Sequence, residues 1–114
     1  MKLKRRDSGE MTILELSGKL MGGPDAIAFQ DVVKELLGSG RTNIVADLEK
    51  LSWVNSTGLG ILIAGYTSVK NAGGSLKLAA VASRIESILM ITKLTTVFET
   101  FKTVEEAVQS FQGE

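Results

Sequence analysis

The residues best suited to chemistry lie in one short segment, Trp53 to Gly60, which reads Trp-Val-Asn-Ser-Thr-Gly-Leu-Gly. Its two hydroxyl groups, on Ser56 and Thr57, directly follow Asn55 and stand at the start of a predicted helix. Side-chain oxygens at such a position can cap the free N–H groups of the helix. A hydroxyl there can also carry a phosphate, because the positive end of the helix dipole favours negative charge. Both interpretations, capping and modification, remain open on these residues alone.

Two glycines, Gly58 and Gly60, fall in the first turns of the same predicted helix. Each glycine costs roughly 1 kcal/mol of helix stability relative to alanine. Their presence indicates that a partner helix, a neighbouring strand or a phosphate approaches the backbone closely. We expect Gly58 to serve a partner, so that alanine there stabilises the helix and weakens binding. For Gly60, a partner contact and packing against the sheet both remain open.

The sequence contains no cysteine and no histidine. It therefore lacks the commonest general base, a cysteine nucleophile and most zinc ligands. The acids nearest the segment, Asp25, Asp47 and Glu49, show no spacing typical of a metal site. We predict that the chain is not an enzyme and needs no cofactor and no metal. The alternative is a small enzyme that uses carboxylates.

Thirteen basic and thirteen acidic side chains cancel, so the formal net charge is +0. A neutral chain has no long-range attraction for nucleic acid or an anionic membrane, and we predict neither partner. No apolar run approaches the length of about 18 residues that a membrane helix needs, and the start lacks an apolar signal core. We therefore expect no direct membrane insertion and a cytoplasmic location. The basic start, with Lys2, Lys4, Arg5 and Arg6, is interpreted as a solvated strand edge, with an anionic partner site as the alternative.

These residues need a scaffold, and the apolar periodicity predicts a single α/β domain over residues 1–114. Buried strands that alternate with helices predict a mixed β-sheet with the helices packed mainly on one side. Residues 17–23 and 49–55 are predicted to be loops. The predicted strands cover residues 3–6, 12–16, 43–48, 75–80 and 97–101, and the predicted helices cover residues 24–37, 56–72, 84–94 and 103–111.

The stretch from Ile44 to Gly74, IVADLEKLSWVNSTGLGILIAGYTSVKNAGG, resembles the signature region of STAS domains of the anti-sigma-factor-antagonist family. In that family an apolar strand ends in Asp-Leu, and a short loop leads to Asp-Ser-Ser/Thr-Gly-Leu-Gly, a helix and a glycine pair. The resemblance extends over almost the whole chain, through Leu16 to Leu20, Leu76 to Leu78, and Phe98-Glu99.

The resemblance implies a binding protein in a partner-switching circuit. In that family the unphosphorylated antagonist sequesters an anti-sigma factor, which is also a serine kinase of the GHKL type, and so frees a sigma factor. The kinase phosphorylates the antagonist and thereby releases it, and a phosphatase of the PP2C type reverses the modification. The phosphoserine of the family falls on Ser56 in this sequence.

The resemblance also indicates a surface for the partner and two departures from the family pattern. Asn55 stands where the family usually has Asp, and Met21 stands where an acidic residue is usual, so two carboxylates beside the switch are missing. The residues expected to bind the partner are Met21, Gly22, Gly23, Trp53, Asn55, Ser56, Thr57, Gly58 and Leu59.

A second function of a different class is compatible with the same resemblance. Free-standing STAS proteins serve lipid-transport ATPases, and related domains form the cytoplasmic tails of anion transporters. The chain could then be a detached subunit of a membrane transport complex that acts through protein–protein contact.

Overall fold

A computed structural model describes residues 1–112, so the last two residues of the predicted 1–114 domain lie outside the described part. The strands are β1 (Lys2–Ser8), β2 (Met11–Leu20), β3 (Asn43–Asp47), β4 (Leu51–Val54), β5 (Ser75–Ala79) and β6 (Thr100–Phe101). The helices are α1 (Pro24–Gly38), α2 (Ser56–Asn71), α3 (Ser83–Ile91) and α4 (Val104–Gln112), and a 3-10 turn covers Leu94–Thr96.

The strands form one mixed sheet in the order β1-β2-β3-β5-β6. The strands β2, β3, β5 and β6 are parallel, and β1 pairs antiparallel with β2 at the edge. The central strands are apolar runs without alternation because helices cover both faces of the sheet. Ile44, Val45 and Ala46 of β3 are accordingly all fully buried.

The two faces of the sheet carry cores of very different size. The larger core packs α1, α2 and α3 against one face, through residues such as Phe29, Leu62 and Leu89. On the other face only α4 packs, with Ala107 and Phe111 against apolar side chains of β2, β3 and β5. The prediction of an α/β fold with a mixed sheet and helices mainly on one side is confirmed.

The smaller core contains a charged side chain, Lys77 of β5, which is only 1% exposed. Its ammonium group lies 4.1 Å from the centre of the Phe111 ring and donates a hydrogen bond of 2.9 Å to the Ser110 hydroxyl. It also stands 3.8 Å from the Glu99 carboxylate. These partners, a cation–π contact among them, offset the cost of removing the charge from water.

Three predicted boundaries are wrong. Residues 17–20, predicted as loop, continue β2, and the predicted loop 49–55 contains the extra strand β4. Here β4 pairs with the end of β2 after a register break between Gly18 and Lys19, a pairing that depends on a residue far along the chain. The strand predicted over 97–101 shrinks to Thr100–Phe101, because Lys93 takes a left-handed φ of 62° and a 3-10 turn follows it.

Candidate partner-binding site at the start of α2

Asn55 organises the start of α2. Its backbone is extended (φ −101°, ψ −176°), and its Oδ1 accepts a hydrogen bond of 2.8 Å from the Gly58 N–H. Asn55 is thus the N-cap, which satisfies one of the free N–H groups at the helix start. The capping role weighed for Ser56 and Thr57 therefore belongs to their neighbour.

The same side chain also holds the loop between β2 and α1. Asn55 Nδ2 donates to the Met21 carbonyl oxygen at 3.3 Å, and the Asn55 backbone N–H donates to the Leu20 carbonyl at 3.4 Å. An aspartate at this position could still cap the helix, but it has no N–H to offer Met21. The replacement of the family's usual acid by Asn55 therefore adds a bond between the loop and the helix.

Asp25 and Gly22 fix the rest of this loop. The Asp25 carboxylate accepts the Met21 N–H at 3.3 Å and stands 3.4 Å from the Met1 amine. Gly22 has a φ of 111°, and a Cβ built there would lie 2.7 Å from Cγ2 of Thr57. Glycine is required at position 22 because of this conformation and because of its close packing on α2.

Ser56 and Thr57 occupy the first two positions of α2, and both side chains are exposed. Within residues 1–112 neither hydroxyl makes a hydrogen bond. A group with no structural task can be modified without breaking an existing interaction. The structure therefore leaves the predicted phosphoacceptor, Ser56, accessible.

Gly58 has a different role from the one expected. It is buried, and a Cβ built there would collide with the backbone carbonyl of Leu20 and lie 2.7 Å from a Val54 methyl. The close approach that requires glycine comes from the end of β2, inside the domain. Our expectation that Gly58→Ala stabilises the helix is wrong, because the backbone of a neighbouring strand cannot move aside cheaply.

The two remaining positions of this segment, Gly60 and Leu59, differ in exposure to solvent. Gly60 is exposed, and a Cβ there would meet nothing within 4 Å. Leu59, predicted to bind the partner, is 7% exposed and belongs to the larger core. Gly58 and Leu59 are therefore part of the packing inside the domain and present no exposed side chain to a partner.

Two apolar side chains are exposed in the segments that adjoin the hydroxyls. Met21 is 46% exposed in the loop and Trp53 is 41% exposed on β4. Ile27, in the first turns of α1, is 64% exposed although it recurs with the apolar residues of that helix at roughly helical spacing. The signal for its exposure was available, since Ile27 lies off the face defined by the buried Phe29, Val33 and Leu36.

We define the α2 contact surface as five exposed or partly exposed residues at this helix start and in the adjoining segments: Met21, Trp53, Asn55, Ser56 and Thr57. None of the five is ionisable, although the Asp25 carboxylate accepts the Met21 N–H beside them. Apolar and aromatic side chains at a protein surface are typical of protein–protein contact sites. In the part of the chain that the structure describes, no three acidic side chains are grouped to hold a metal ion. The arrangement is suited to binding a protein and to carrying a phosphate.

Among residues 1–112 no helix has both the length and the apolar character needed to cross a membrane.

Comparison with known proteins agrees with this arrangement. Residues 2–107 match the family model of the STAS domain. A Thermotoga neapolitana protein provisionally named as an anti-sigma factor antagonist is 30% identical over 82 residues, which cover 72% of this chain and 73% of that protein. The anti-sigma-B factor antagonist of Bacillus subtilis is 36% identical over 62 residues, or 54% of this chain and 57% of that protein.

Solved structures show the same fold. The phosphorylated form of the Bacillus cell fate determinant SpoIIAA superposes with a TM-score of 0.75 at 18% identity, over 96% of this chain and 99% of SpoIIAA. The murine anion transporter Slc26a9 contains a similar domain, with a TM-score of 0.79 at 15% identity over 96% of this chain and 19% of the transporter. At such identities the likeness establishes the fold alone.

Proposed function

The chain belongs to the STAS domain family, and we propose that it is an anti-sigma factor antagonist whose binding is switched by phosphorylation of Ser56. One observation carries the proposal: the Ser56 hydroxyl is exposed and makes no hydrogen bond within residues 1–112, among exposed apolar side chains. The two curated relatives described above support it, because each is named as an anti-sigma factor or anti-sigma-B factor antagonist.

In the proposed unphosphorylated state, the α2 contact surface binds the anti-sigma factor by burying apolar area. Trp53 and Met21 supply the largest exposed apolar side chains beside Ser56. A buried tryptophan at the centre of an interface commonly contributes 2 kcal/mol or more, by an order-of-magnitude estimate, to the free energy of binding. The sequestered anti-sigma factor then no longer holds its sigma factor.

In the phosphorylation step the kinase transfers the γ-phosphoryl group of ATP to the Ser56 oxygen, so that the bond to ADP breaks, ADP leaves and the hydroxyl proton is released. The product carries about 1.5 to 2 additional negative charges. The folded domain tolerates this charge because Ser56 is the first residue of α2 and the helix dipole favours an anion there. The interface does not, because the phosphate must be desolvated against apolar side chains. A loss of roughly 3–4 kcal/mol weakens binding several hundred-fold.

The proposed partners are an anti-sigma factor of the GHKL serine-kinase type and a PP2C-type phosphatase, both acting in the cytoplasm. The solved phosphorylated form of SpoIIAA supports a phosphate on this fold. With Asn55 and Met21 in place of acidic residues, the side chains that adjoin Ser56 carry no charge of their own, and the Asp25 carboxylate is held by the Met21 N–H and the Met1 amine. We therefore expect a kinase that recognises shape and apolar contact around the serine.

The proposed role is that of a binding regulator without catalytic activity of its own. The alternative, a detached subunit of a membrane transport complex, has weaker support. The likeness to an anion transporter is one of fold, at 15% identity, whereas the curated relatives at 30% and 36% identity are named as antagonists.

The test uses the purified chain, its partner captured from the native cell, and ATP. Wild type should take up phosphate at Ser56, and Ser56→Ala should take up none while it keeps its melting temperature and its partner. Ser56→Asp should lose affinity about a hundred-fold or more with its stability within about 1 kcal/mol of wild type.

The matched control is Ser68→Asp, an exposed serine on the same helix, twelve residues or about 18 Å farther along. It adds the same charge to α2 away from the contact surface, so its affinity should stay near wild type. Phosphate on Thr57 instead of Ser56, or equal losses for both Asp variants, would contradict the proposal.

A further inference from the structure

The edge strand β1 carries different charges on its two faces. Arg5 points to the side of α1, where it stands 3.1 Å from Asp7 and 3.6 Å from Glu35. Lys2, Lys4 and Arg6 alternate with it and lie on the opposite side, and within residues 1–112 none of these three side chains forms an ion pair or a hydrogen bond. We call these three residues the β1 cation row.

The side on which the row lies follows from the strand register. Arg6 is opposite Ile13 of β2, and opposite residues of an antiparallel pair point to the same face. Ile13 belongs to the smaller core beneath α4, so the row shares the α4 side of the sheet. There α4 leaves β1 uncovered, because a cleft of about 510 Å³, lined by Arg6, Ile13 and Val108 among others, separates the two.

Acidic side chains lie near the row but form no ion pair with it in the described chain, and two of them, Asp47 and Glu49, line a second cleft together with Arg6. Glu15 is opposite Lys4 in the register, but its carboxylate lies 3.1 Å from Lys50 and is paired there. Glu105 lines the same cleft as Arg6 without an ion pair to it in the described chain. All three cations of the row are exposed to solvent.

The backbone of β1 also has hydrogen-bonding groups without a strand partner. Within the described sheet β1 pairs only with β2, so its outer N–H and C=O groups have no strand partner. Alternate residues of a strand are about 7 Å apart on one face. An added strand with acidic residues at every second position would place its carboxylates at the spacing of Lys2, Lys4 and Arg6 while its backbone bonds to β1.

We propose that the open edge of β1 is a docking site for an extended acidic segment of a partner protein, which adds to the sheet as a further strand beside the β1 cation row. A second copy of this chain is a poor occupant, since pairing of two β1 edges with matching faces sets cation against cation. A flat anionic surface fits less well, because it cannot use the free backbone groups and the chain as a whole is neutral.

The test titrates the full ¹⁵N-labelled chain with a short peptide in which Glu alternates with Val. We expect backbone amide shifts concentrated in β1, and an affinity that falls as NaCl rises from about 0.05 M to about 0.5 M. A peptide of the same composition with its glutamates in one block, and an alternating peptide with N-methylated backbone, should both bind much more weakly.

Two variants test whether the peptide binds at the β1 cation row. Lys4→Gln together with Arg6→Gln should weaken peptide binding about tenfold, and Lys34→Gln, which removes an exposed cation from α1, should leave it unchanged. Amide dispersion and melting temperature show that each variant is folded. Because none of these residues lies in the α2 contact surface, binding of the anti-sigma factor should not change.

Three results would overturn the inference. The first is an absence of backbone amide shifts in β1 when the alternating peptide is added. The lysines would then serve only to prevent other strands from pairing with this edge. The second is equal binding of the N-methylated peptide, which would exclude strand addition. The third is binding of phosphatidylglycerol vesicles or of an oligonucleotide through the same cations, with no binding of the peptide.

Discussion

The α2 contact surface and the β1 cation row are both exposed, but they differ in the forces that would govern binding. The α2 contact surface has no ionisable side chain, and its largest apolar members are Trp53 and Met21. The β1 cation row consists of three exposed cationic side chains. The first surface is expected to bind through apolar burial and the second through charge and backbone pairing.

This difference clarifies what the two departures from the family pattern do. With Asn55 and Met21 in place of acidic residues, a phosphate on Ser56 would be the only charge on the α2 contact surface. Its arrival would change the surface from neutral to doubly negative, which is a large relative change. The charge of the β1 cation row is permanent, so that row has no comparable switch.

The largest expected effect concerns the packing that supports the α2 contact surface. Gly58→Ala places a methyl group against the Leu20 carbonyl and a Val54 methyl, and should destabilise the domain by about 2–3 kcal/mol. Gly60→Ala meets open space and should stabilise it by up to about 1 kcal/mol. Urea or thermal unfolding of the pair measures both. Equal stability of the two variants would contradict the internal role of Gly58.

The second prediction tests apolar burial at the α2 contact surface directly. Trp53→Ala should weaken partner binding by about 2 kcal/mol, or roughly thirty-fold, and the affinity should change little with salt. Val97→Ala, which truncates another exposed apolar side chain, is the control and should bind as wild type does. Trp53 is the only tryptophan, so its emission in wild type reports the contact. A strong dependence of this affinity on salt would show that charge governs binding here, as expected for the β1 cation row, and would contradict the prediction.

Asn55 gives a smaller effect that separates its two hydrogen bonds. Asn55→Ala loses the cap on Gly58 and the bond to Met21, and should cost about 1 kcal/mol or slightly more. Asn55→Asp keeps the capping oxygen and loses only the donor to Met21, so its loss in thermal unfolding should be smaller. Should Asp cost as much as Ala, the bond to Met21 would be the more important of the two.

The smallest effect belongs to the other face of β1. The Arg5 hydrogen bond, with the Arg41 charge nearby, lowers the pKa of Asp7 below its usual value despite some desolvation that raises it. A lowered folded-state pKa stabilises the fold above the unfolded-state value and ceases to do so as pH falls through the folded-state value. Asp7→Asn should therefore flatten the fall in stability below about pH 4. Asp31→Asn, on an exposed acid of α1 without a partner in the described chain, should not.

The sequence predicted the class of fold well because apolar periodicity follows local geometry. The buried runs of β3 and β5 and the apolar face of α1 are visible without any tertiary information. The start of α2 was predicted at Ser56, where the structure has it. The spacing of Thr103 and Glu106 is that of a capping box, and in the structure the Thr103 hydroxyl accepts the Glu106 N–H at 3.1 Å. Caps and turns involve residues within four positions of one another, so their signals are local.

The sequence could not reveal β4, because its four residues become a strand only by pairing with the far end of β2. Ile27 shows a failure of another kind, since its apolar character hid a position off the buried face of α1. Lys77 is a third case, a buried charge whose partners, Phe111 and Ser110 among them, lie more than 30 residues farther along the chain.

Sequence alone therefore determined the position of the candidate switch: two hydroxyls after Asn55 at a helix start, in a segment that resembles one family. Only the tertiary structure decided which neighbours face a partner. Gly58 and Gly60 are identical in type and two residues apart, yet the end of β2 packs against the first and solvent meets the second. The presence of a glycine in the sequence does not show whether a neighbouring group excludes a side chain there, because that depends on which strand lies alongside the helix.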